Sequence, residues 1–338
     1  MAKRKTAGNR YYQGPTSDHF DGNRFFNPGG RPPGGLRDLL RWRLNGARAK
    51  WPAAWPSPHP PAVPDRRIDG AALRLTMVGH STLLLQTGGV NILTDPVWSA
   101  RASPVAFAGP RRVNEPGIRF EDLPPIDVVL LSHNHYDHMD APTLRRLGRE
   151  HAPLVVTPLG NDRLVAPLSP RLRIETRDWG ESVNVADTIT VHVEPAHHWS
   201  ARGAGDRLMA LWSSFVVDMP GGRILFAGDT GFHGGLHYRR FAERHGGFRL
   251  AILPIGAYEP RWFMEPHHQN PEEAVEGMAL CKASFAAGCH WGTIQLTDEP
   301  IDEPRRRLLA ALDEKGIARE RFRPMLAGEV WDVPPSAG

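Results

Sequence analysis

The densest group of chemically active side chains lies in residues 132–140, which read S-H-N-H-Y-D-H-M-D. Imidazoles and carboxylates are the side chains that bind a borderline ion such as zinc. Because alternate residues of an extended chain project to the same side, His133 and His135 can reach one ion together. Asp137 and His138 follow after a further turn and could address a second ion. The H-x-H-x-D-H spacing therefore favours a metal site over an ordinary polar loop.

This motif comes directly after a short apolar run at residues 128–131. The run begins with two β-branched valines and follows Pro124 and Pro125, which favours a buried strand over a helix. A metalloprotease helix would space its histidines four apart, as in H-E-x-x-H, and that pattern is absent from the sequence. We therefore expect the ligands to stand at the end of a strand.

Apolar alternation and turn signals predict two strand-rich halves, each followed by helices. In the first half we expect strands at 73–77, 82–86 and 90–94, with Gly88-Gly89 as a hairpin turn, and a helix at 141–150. In the second half we expect strands at 188–194, 208–217, 224–227, 250–254 and 285–288, and helices starting at 271 and covering 303–315. Each sheet needs both of its faces covered, so this order predicts layers with the sheets inside.

Several longer blocks carry a resemblance to a known family. They are L-T-D-P at 93–96, L-P-P-I-D-V-V-L-L-S-H-N-H-Y-D-H at 123–138, A-G-D-T-G at 227–231, P-I-G-A-Y-E-P-R-W-F-M at 254–264, N-P-E-E-A-V at 270–275 and H-W-G-T at 290–293. In content and order these blocks resemble the N-acyl-phosphatidylethanolamine-hydrolysing phospholipase D family of the metallo-β-lactamase superfamily. The match extends from about Leu73 to beyond His290. The resemblance implies an α/β fold, the αββα sandwich, in which two mixed sheets are flanked by helices.

The resemblance also implies the metal ligands that the opening motif lacks. A catalytic zinc ion has three protein ligands and a water, whereas the motif supplies four side chains for two ions. By resemblance, His198 completes the first ion and His290 the second, while Asp229 bridges both. The full set of expected ligands is His133, His135, Asp137, His138, His198, Asp229 and His290, of which Asp137 and Asp229 are the expected catalytic carboxylates.

Six further residues are candidates for supporting the ligands or contacting a substrate. Asp95 of T-D-P resembles the superfamily's aspartate that orients a ligand histidine, although an aspartate before proline is also common in turns. Tyr258 and Arg261 either frame the substrate or are structural. The remaining candidates are His80, which matches a family position without an assigned role, His197, which is a supporting or a surface histidine, and His268, which together with the neighbouring His267 is a candidate for lining the head-group pocket.

The reaction that the resemblance implies is one that two zinc ions can catalyse. They would activate water and stabilise the negative charge of a phosphodiester. The resemblance implies a zinc-dependent phosphodiesterase that hydrolyses N-acyl phosphatidylethanolamine to N-acylethanolamine and phosphatidic acid. The alternative is a lactonase or small-molecule phosphodiesterase of the same fold. The family also suggests a homodimer.

The composition of the chain indicates the kind of protein and the cellular compartment in which this chemistry is expected. At 338 residues, with 41% hydrophobic and 23% charged residues, the chain can bury a stable core without disulfides or structural metal ions. Two cysteines, Cys281 and Cys289, exclude a disulfide framework and fit a reducing compartment. No apolar run approaches the length of a membrane span, and the basic N-terminus has no apolar segment after it as a secretory signal would. We therefore expect a cytoplasmic protein, either soluble or peripheral at the membrane.

Charge divides the chain into a basic arm, residues 1–67, and a hydrolase domain, residues 68–338. The arm holds 13 basic and 4 acidic residues, a formal charge of +9, whereas the rest holds 28 and 33, a charge of −5. Such an arm indicates an anionic partner, for which we expect a membrane rather than nucleic acid. Its stretch 51–64 has six prolines and reads as a stiff linker.

Residues 36–44 of the arm predict a short amphipathic helix with a leucine stripe and several arginines. One interpretation is a helix that lies on anionic lipid. The other is a helix that packs on its own domain, which we favour slightly because apolar stripes usually face cores.

Overall fold

We describe the fold from a computed structural model, which covers residues 8–203 and 205–336. Residues 1–7 of the basic arm and the last two residues of the hydrolase domain therefore lie outside the described part of the chain. Seven α-helices are found in the described residues: α1 (Leu36–Asn45), α2 (Ala141–Glu150), α3 (Asp162–Val165), α4 (Leu236–His245), α5 (Arg261–Met264), α6 (Pro271–Leu280) and α7 (Glu303–Glu314).

The described residues form fourteen strands, which are numbered in chain order. The first seven are β1 (Arg74–Gly79), β2 (Thr82–Thr87), β3 (Val90–Thr94), β4 (Val128–Leu130), β5 (Leu154–Pro158), β6 (Arg173–Arg177) and β7 (Ser182–Ala186). The others are β8 (Ile189–Glu194), β9 (Ser214–Met219), β10 (Gly222–Phe226), β11 (Phe248–Pro254), β12 (Ala283–Cys289), β13 (Phe322–Pro324) and β14 (Val330–Asp332).

Two mixed seven-stranded sheets result, with the orders β14-β1-β2-β3-β4-β5-β6 and β13-β12-β11-β10-β9-β8-β7. Each sheet has three antiparallel and three parallel pairings. One buried cluster joins their facing sides, with Leu75 and Val128 from the first sheet and Val191 and Phe215 from the second. The expected sandwich of two sheets is thereby confirmed.

Helices cover the outer face of each sheet. Leu144 and Leu147 of α2 pack with Val129 and Val155 on the outside of the first sheet. Helices α4, α6 and α7 contribute to a separate cluster on the outside of the second sheet. Helix α6 begins as its sequence predicts, because the Asn270 side chain accepts a hydrogen bond from the Glu273 N–H and the Glu273 carboxylate accepts one from the Asn270 N–H. The layers are therefore αββα, as the sequence predicts.

Most predicted strands are confirmed, but the expected strand at 208–217 is wrong in its first half. Residues 208–213 form turns and extended loop, and β9 starts only at Ser214. The loop binds the N-terminal arm, because the Leu208 carbonyl accepts a hydrogen bond from the N–H of Phe25 in that arm. The apolar run at 208–213 thus buries the arm instead of extending the sheet.

The part of the N-terminal arm that the structure describes, from residue 8 onward, is packed onto the domain. Phe20 and Phe25 are buried in a cluster with Leu211 and Trp212. The Asn27 amide donates a hydrogen bond of 2.8 Å to the backbone carbonyl of His198, one of the expected metal ligands. The arm therefore holds part of the site.

The Pro-rich stretch predicted as a linker also lies on the domain. The Trp51 indole donates to the Glu299 carbonyl at 2.9 Å, and the Trp55 ring lies 5.8 Å from the Trp291 ring. Stiff extended backbone suits such a strap because proline loses little conformational freedom on docking.

Substitution of Phe25 by alanine should lower the free energy of unfolding by about 3–5 kcal/mol, the usual cost of removing a fully buried phenylalanine. The neighbouring Phe26 is 39% exposed, so Phe26→Ala is the matched control and should cost less than about 1 kcal/mol. Urea unfolding monitored by far-UV circular dichroism measures both. Equal effects of the two substitutions would show that the arm is not part of the core.

Helix α1 forms where the sequence predicts it, but its leucine stripe does not face the core. Leu36 is 71% exposed and Leu44 is 82% exposed. The packed side chain is instead Trp42, whose indole donates to Asp298 at 2.7 Å and whose ring lies 5.2 Å from Phe263. The helix therefore packs on its own domain, as we slightly favoured, but it does so through Trp42 rather than through the leucine stripe.

Candidate metal centre

Loops after several strands bring the candidate ligands to one edge of the sandwich. The 131–140 loop follows β4, and His198 follows β8. Asp229 follows β10, and His290 follows β12 directly. Because neighbouring strand ends meet at a sheet edge, residues more than a hundred positions apart become neighbours there. The structure places all seven expected ligands at this edge.

The first group of donors consists of His133, His135 and His198. The His135 Nδ1 lies 2.8 Å from the His133 Nε2 and 3.2 Å from the His198 Nε2. The His198 Nδ1 lies 3.1 Å from the carbonyl oxygen of His267, to which it can donate, and this leaves its Nε2 free to face the other two histidines. Three imidazole nitrogens thus converge on one point, as a zinc ion requires.

The second group consists of Asp137, His138 and His290, with His80 beside them. The Asp137 Oδ2 lies 3.2 Å from the His138 Nε2 and 3.3 Å from the His290 Nε2. His80 contacts the same carboxylate, with its Nε2 2.8 Å from that oxygen. His80 therefore orients Asp137, a role that the sequence did not assign.

Asp229 lies between the two groups. Its Oδ2 is 3.1 Å from the His138 Nε2 and 3.2 Å from the His290 Nε2, both in the second group. The same oxygen is 3.7 Å from the His198 Nε2 of the first group. One buried carboxylate thus contacts both groups, as a bridging ligand would.

Buried polar atoms that lack a hydrogen-bond partner indicate whether this arrangement suits metal ions. The Nε2 atoms of His138 and His290 and the Oδ1 atom of Asp229 are buried without a hydrogen-bond partner. Leaving such atoms unpaired costs about 1–3 kcal/mol each, so a cluster of them indicates a missing partner. Nitrogen and carboxylate donors at this density fit two divalent cations of the zinc type.

The two groups of donors differ in the pKa values of their histidines. Burial lowers the pKa of His133 and His198 far below the ordinary value, and it lowers that of His135 to about 4. Burial also opposes protonation of His290, but the carboxylates of Asp229 and Asp137 outweigh it and raise the pKa of His290 to about 9. The first group therefore offers neutral imidazoles, and the second has excess negative charge that attracts cations.

Asp95 supports the loop and one ligand at once. Its Oδ1 accepts the Ser132 N–H at 2.7 Å, and its Oδ2 accepts the His138 Nδ1–H at 2.6 Å. This bond makes the His138 Nε2 the free ligand atom and fixes the ring direction. Asp95 is fully buried, and its contacts match the orienting role that the resemblance implied.

Tyr258 and Arg261 do not lie at the site. Tyr258 is fully buried, and its hydroxyl donates to Glu303 at 2.8 Å. The Arg261 guanidinium forms a two-point pair with Glu273 at 2.8 and 2.9 Å and also donates to the His268 carbonyl. Of the two interpretations, these contacts favour the structural one, because the polar groups of both side chains are hydrogen-bonded to other residues of the chain.

His197 and His268 have different positions. His197 points away from the ligands because adjacent residues of an extended segment project to opposite sides, and its ring lies 3.7 Å from that of His233. It is 3% exposed, so it is not a surface histidine. His268 lies inside the site, with its Nδ1 4.0 Å from the Asp229 Oδ2, and it lines the cavity above the ligands.

A cavity of about 590 Å³ opens over the ligands, and its walls include residues that sequence reasoning missed. The Trp199 ring lies 4.4 Å from the His135 ring, and Arg207 stacks on Trp199 at 4.8 Å. His267, the neighbour of His268 that the sequence also indicated, lines the cavity with both ring nitrogens unpartnered. Apolar walls come from Leu36, Leu39 and Trp42 of α1, from Phe263 and Met264, and from Leu296.

An αββα sandwich with a buried histidine and aspartate cluster at the strand ends defines a metal-dependent hydrolase of the metallo-β-lactamase fold. Comparison with known proteins agrees with this class. The sequence model of the family described as the Beta-lactamase superfamily domain matches residues 90–291 of the chain. The crystal structure of a protein from Veillonella parvula that is described as a possible metal-dependent hydrolase shares the fold, with a TM-score of 0.62 at 15% identity, over 78% of this chain and 100% of that one.

Relatives found by sequence similarity identify the family within this class. The chain is 40% identical over 275 residues to N-acyl-phosphatidylethanolamine-hydrolyzing phospholipase D 1 of Caenorhabditis elegans, which covers 78% of this chain and 76% of the relative. It is 34% identical to the mitochondrial enzyme of that name from Saccharomyces cerevisiae, over 79% of this chain and 58% of the relative. The chain therefore belongs to the β-lactamase superfamily and, within it, to the family of N-acyl-phosphatidylethanolamine-hydrolysing phospholipases D.

Proposed function

We propose that the protein is a two-zinc phosphodiesterase that hydrolyses N-acyl phosphatidylethanolamine to N-acylethanolamine and phosphatidic acid. The observation that supports this most is the pairing of a dinuclear ligand set with a large apolar cavity directly above it. Relatives named for this reaction add support. A polar phosphodiester can reach the cluster while its acyl chains occupy the cavity.

Bound zinc would supply Lewis acidity toward the phosphoryl oxygens and a lowered pKa for water. His133, His135 and His198 would hold one ion, Asp137, His138 and His290 the other, and Asp229 would bridge them. Asp95 and His80 would keep His138 and Asp137 in place, so little reorganisation is needed during the reaction.

Two histidines at the cavity wall would bind the head group. Burial lowers the pKa of His267 to about 3 and that of His268 to about 4, so both are neutral at pH 7. A neutral imidazole can both donate and accept a hydrogen bond, which suits the amide and the phosphoryl oxygen of the substrate.

The exposed leucines of α1 are proposed to contact a membrane. Leu36 and Leu39 line the cavity, whereas Leu40 and Leu44 continue the stripe away from it at 52% and 82% exposure. Arg41 lies on the same helix and stacks on Trp262, which is itself 45% exposed. Apolar side chains bordered by arginines fit the surface of an anionic bilayer. In the described residues no helix is long and apolar enough to cross a membrane, and we propose a cytoplasmic protein that binds the membrane peripherally.

Hydrolysis in ¹⁸O-labelled water tests the proposed reaction. Zinc-loaded protein given N-acyl phosphatidylethanolamine in mixed micelles should release N-acylethanolamine without the label and phosphatidic acid with it, because water attacks phosphorus. Mass spectrometry of both products measures where the label goes. Protein treated with a chelator and then resupplied with zinc is the control, and its activity should disappear and return.

Two outcomes would contradict the proposal. Label in a released fatty acid would mean that an acyl bond, not the phosphodiester, is broken. Absence of lipid hydrolysis together with rapid opening of a lactone or cleavage of a small phosphodiester would favour the alternative function of the same fold.

A further inference from the structure

A second cavity lies beside the first and is not part of the metal centre. Its volume is about 460 Å³, and its walls come from the 99–106 loop, the start of α2, Tyr136 and Arg202. We propose that it binds the phosphate head group of an anionic phospholipid that is not the substrate. This inference rests on the proposed function only in taking a lipid surface as the place of work.

Three arginines give the cavity its charge. Arg101, Arg145 and Arg202 all line it. In the part of the chain that the structure describes, none of them has a carboxylate oxygen within 4.0 Å, although Arg146, the neighbour of Arg145, is paired with both Glu121 and Glu150. Unpaired guanidinium groups that face one concave surface are what a phosphate head group requires.

Internal hydrogen bonds hold two of the arginines in place. The Arg202 guanidinium donates to the carbonyls of Asn134 and Met139 at 2.9 and 2.8 Å and stacks on the Tyr136 ring at 4.0 Å. Arg101 donates to the Gly109 carbonyl at 2.6 Å. Because carbonyl oxygens satisfy donors without neutralising charge, both cations keep their net charge for a ligand.

Asp140 is the acidic residue of this cavity, and its oxygens are occupied. One accepts the Ser99 hydroxyl at 2.8 Å and the other accepts the Ser99 N–H at 3.1 Å. Three arginines against one aspartate leave a formal charge of +2 at the cavity. This excess is enough to neutralise the single negative charge of a phosphate diester or the two charges of a monoester.

An apolar loop tip beside the arginines distinguishes a lipid from a free phosphate. Val105 lines the cavity and is 39% exposed, and Phe107 is 83% exposed. A phenylalanine that projects into solvent next to unpaired cations is the arrangement by which peripheral proteins enter the interface of an anionic bilayer. The occupant is therefore a phospholipid in a membrane.

The position of the cavity relates it to catalysis. Tyr136 lines this cavity and also the one above the metal ligands. Ala102, in the loop between Arg101 and Ser103, lines the larger cavity as well. A lipid held at the arginines would thus place the mouth of the active site against the bilayer.

Flotation with vesicles tests the inference on the zinc-loaded protein. The vesicles contain phosphatidylcholine with or without phosphatidylglycerol and no N-acyl phosphatidylethanolamine, so binding is measured independently of the proposed hydrolysis. The double variant Arg101→Gln/Arg145→Gln should partition about 25-fold more weakly to phosphatidylglycerol vesicles, roughly fivefold for each arginine. Phe107→Ala should weaken binding to both kinds of vesicle by about threefold to tenfold.

Matched controls separate a site from general charge. Arg173→Gln/Arg305→Gln removes two exposed arginines elsewhere and should keep nearly wild-type partition. Phe26→Ala is the control for Phe107. Circular dichroism must show each variant folded, and Arg145→Gln alone serves if the double variant fails to fold, since Arg145 is exposed.

Three results would overturn the inference. Equal losses in both arginine pairs would indicate a non-specific charge effect. Wild-type partition of Arg101→Gln/Arg145→Gln would exclude the cavity. Binding of inorganic phosphate in calorimetry, lost in the double variant whose vesicle binding is unchanged, would assign the cavity to a soluble anion. None of these results depends on whether the protein hydrolyses N-acyl phosphatidylethanolamine.

Discussion

Asp229→Asn should lower activity on the phospholipid by roughly a thousandfold, about 4 kcal/mol of activation free energy. The substitution keeps the size of the side chain but removes the charge that faces both donor groups. His138 and His290 would then lose the carboxylate that lies 3.1 and 3.2 Å from their Nε2 atoms. A neutral amide cannot offset the repulsion of two cations, so zinc content should fall in parallel.

Plasma mass spectrometry of dialysed protein measures zinc per chain, and product release measures activity. Asp313→Asn is the matched control, because Asp313 is half-exposed, paired with Arg319 and outside the site. It should leave both quantities near wild type. Full zinc content in Asp229→Asn, with activity reduced less than tenfold, would show that Asp229 does not bridge the ions.

The removal of metal should also depend on pH. The carboxylates that raise the pKa of His290 to about 9 favour a proton on the same nitrogen that a metal needs. Protons and zinc therefore compete for the second group, and acid should release zinc.

The ligand loop could be predicted from the sequence because its signals are local. A strand, a two-residue alternation and a turn are all contained in residues 128–140, so their geometry follows from backbone rules alone. His198, Asp229 and His290 carry no such signal individually. Each lies at the end of a different strand, and only the resemblance connected them before the fold brought them together.

The roles of Tyr258 and Arg261 could not be predicted in the same way. Both stand in a long motif that identifies the family, and a motif alone does not separate binding residues from packing residues. Their partners, Glu303 and Glu273, lie on α7 and α6. Side chains that meet through tertiary contacts cannot be paired from local spacing.

The cavity wall is the largest feature that sequence reasoning missed. Trp42 reaches Phe263 and Asp298 across more than two hundred residues. Amphipathic periodicity predicts that α1 has an apolar stripe but not what the stripe faces. In the structure, one aromatic residue anchors the helix, and the leucines remain exposed beside the active site.

Leu40→Glu/Leu44→Glu should lower partition to phosphatidylglycerol vesicles by roughly a hundredfold. Each leucine would lose part of the ~1.5–3 kcal/mol available from burial, and each new carboxylate would be repelled by anionic lipid. Because neither residue lines the cavity, activity toward a short-chain, monomeric substrate should fall at least tenfold less than activity toward vesicles.

Val330→Glu is the matched control, since Val330 is an apolar side chain outside α1 that is 45% exposed. It adds one charge of the same sign and should change partition about fivefold or less. If both variants reduced partition equally, net charge rather than the helix would explain the effect. If the α1 variant lost activity equally on vesicles and monomers, α1 would act only as a cavity wall. The comparison thus distinguishes a helix that enters the bilayer from one that only closes the pocket. The proposal of membrane contact rests on Leu40 and Leu44, which are exposed and do not line the cavity, whereas Trp42 anchors the helix on the domain.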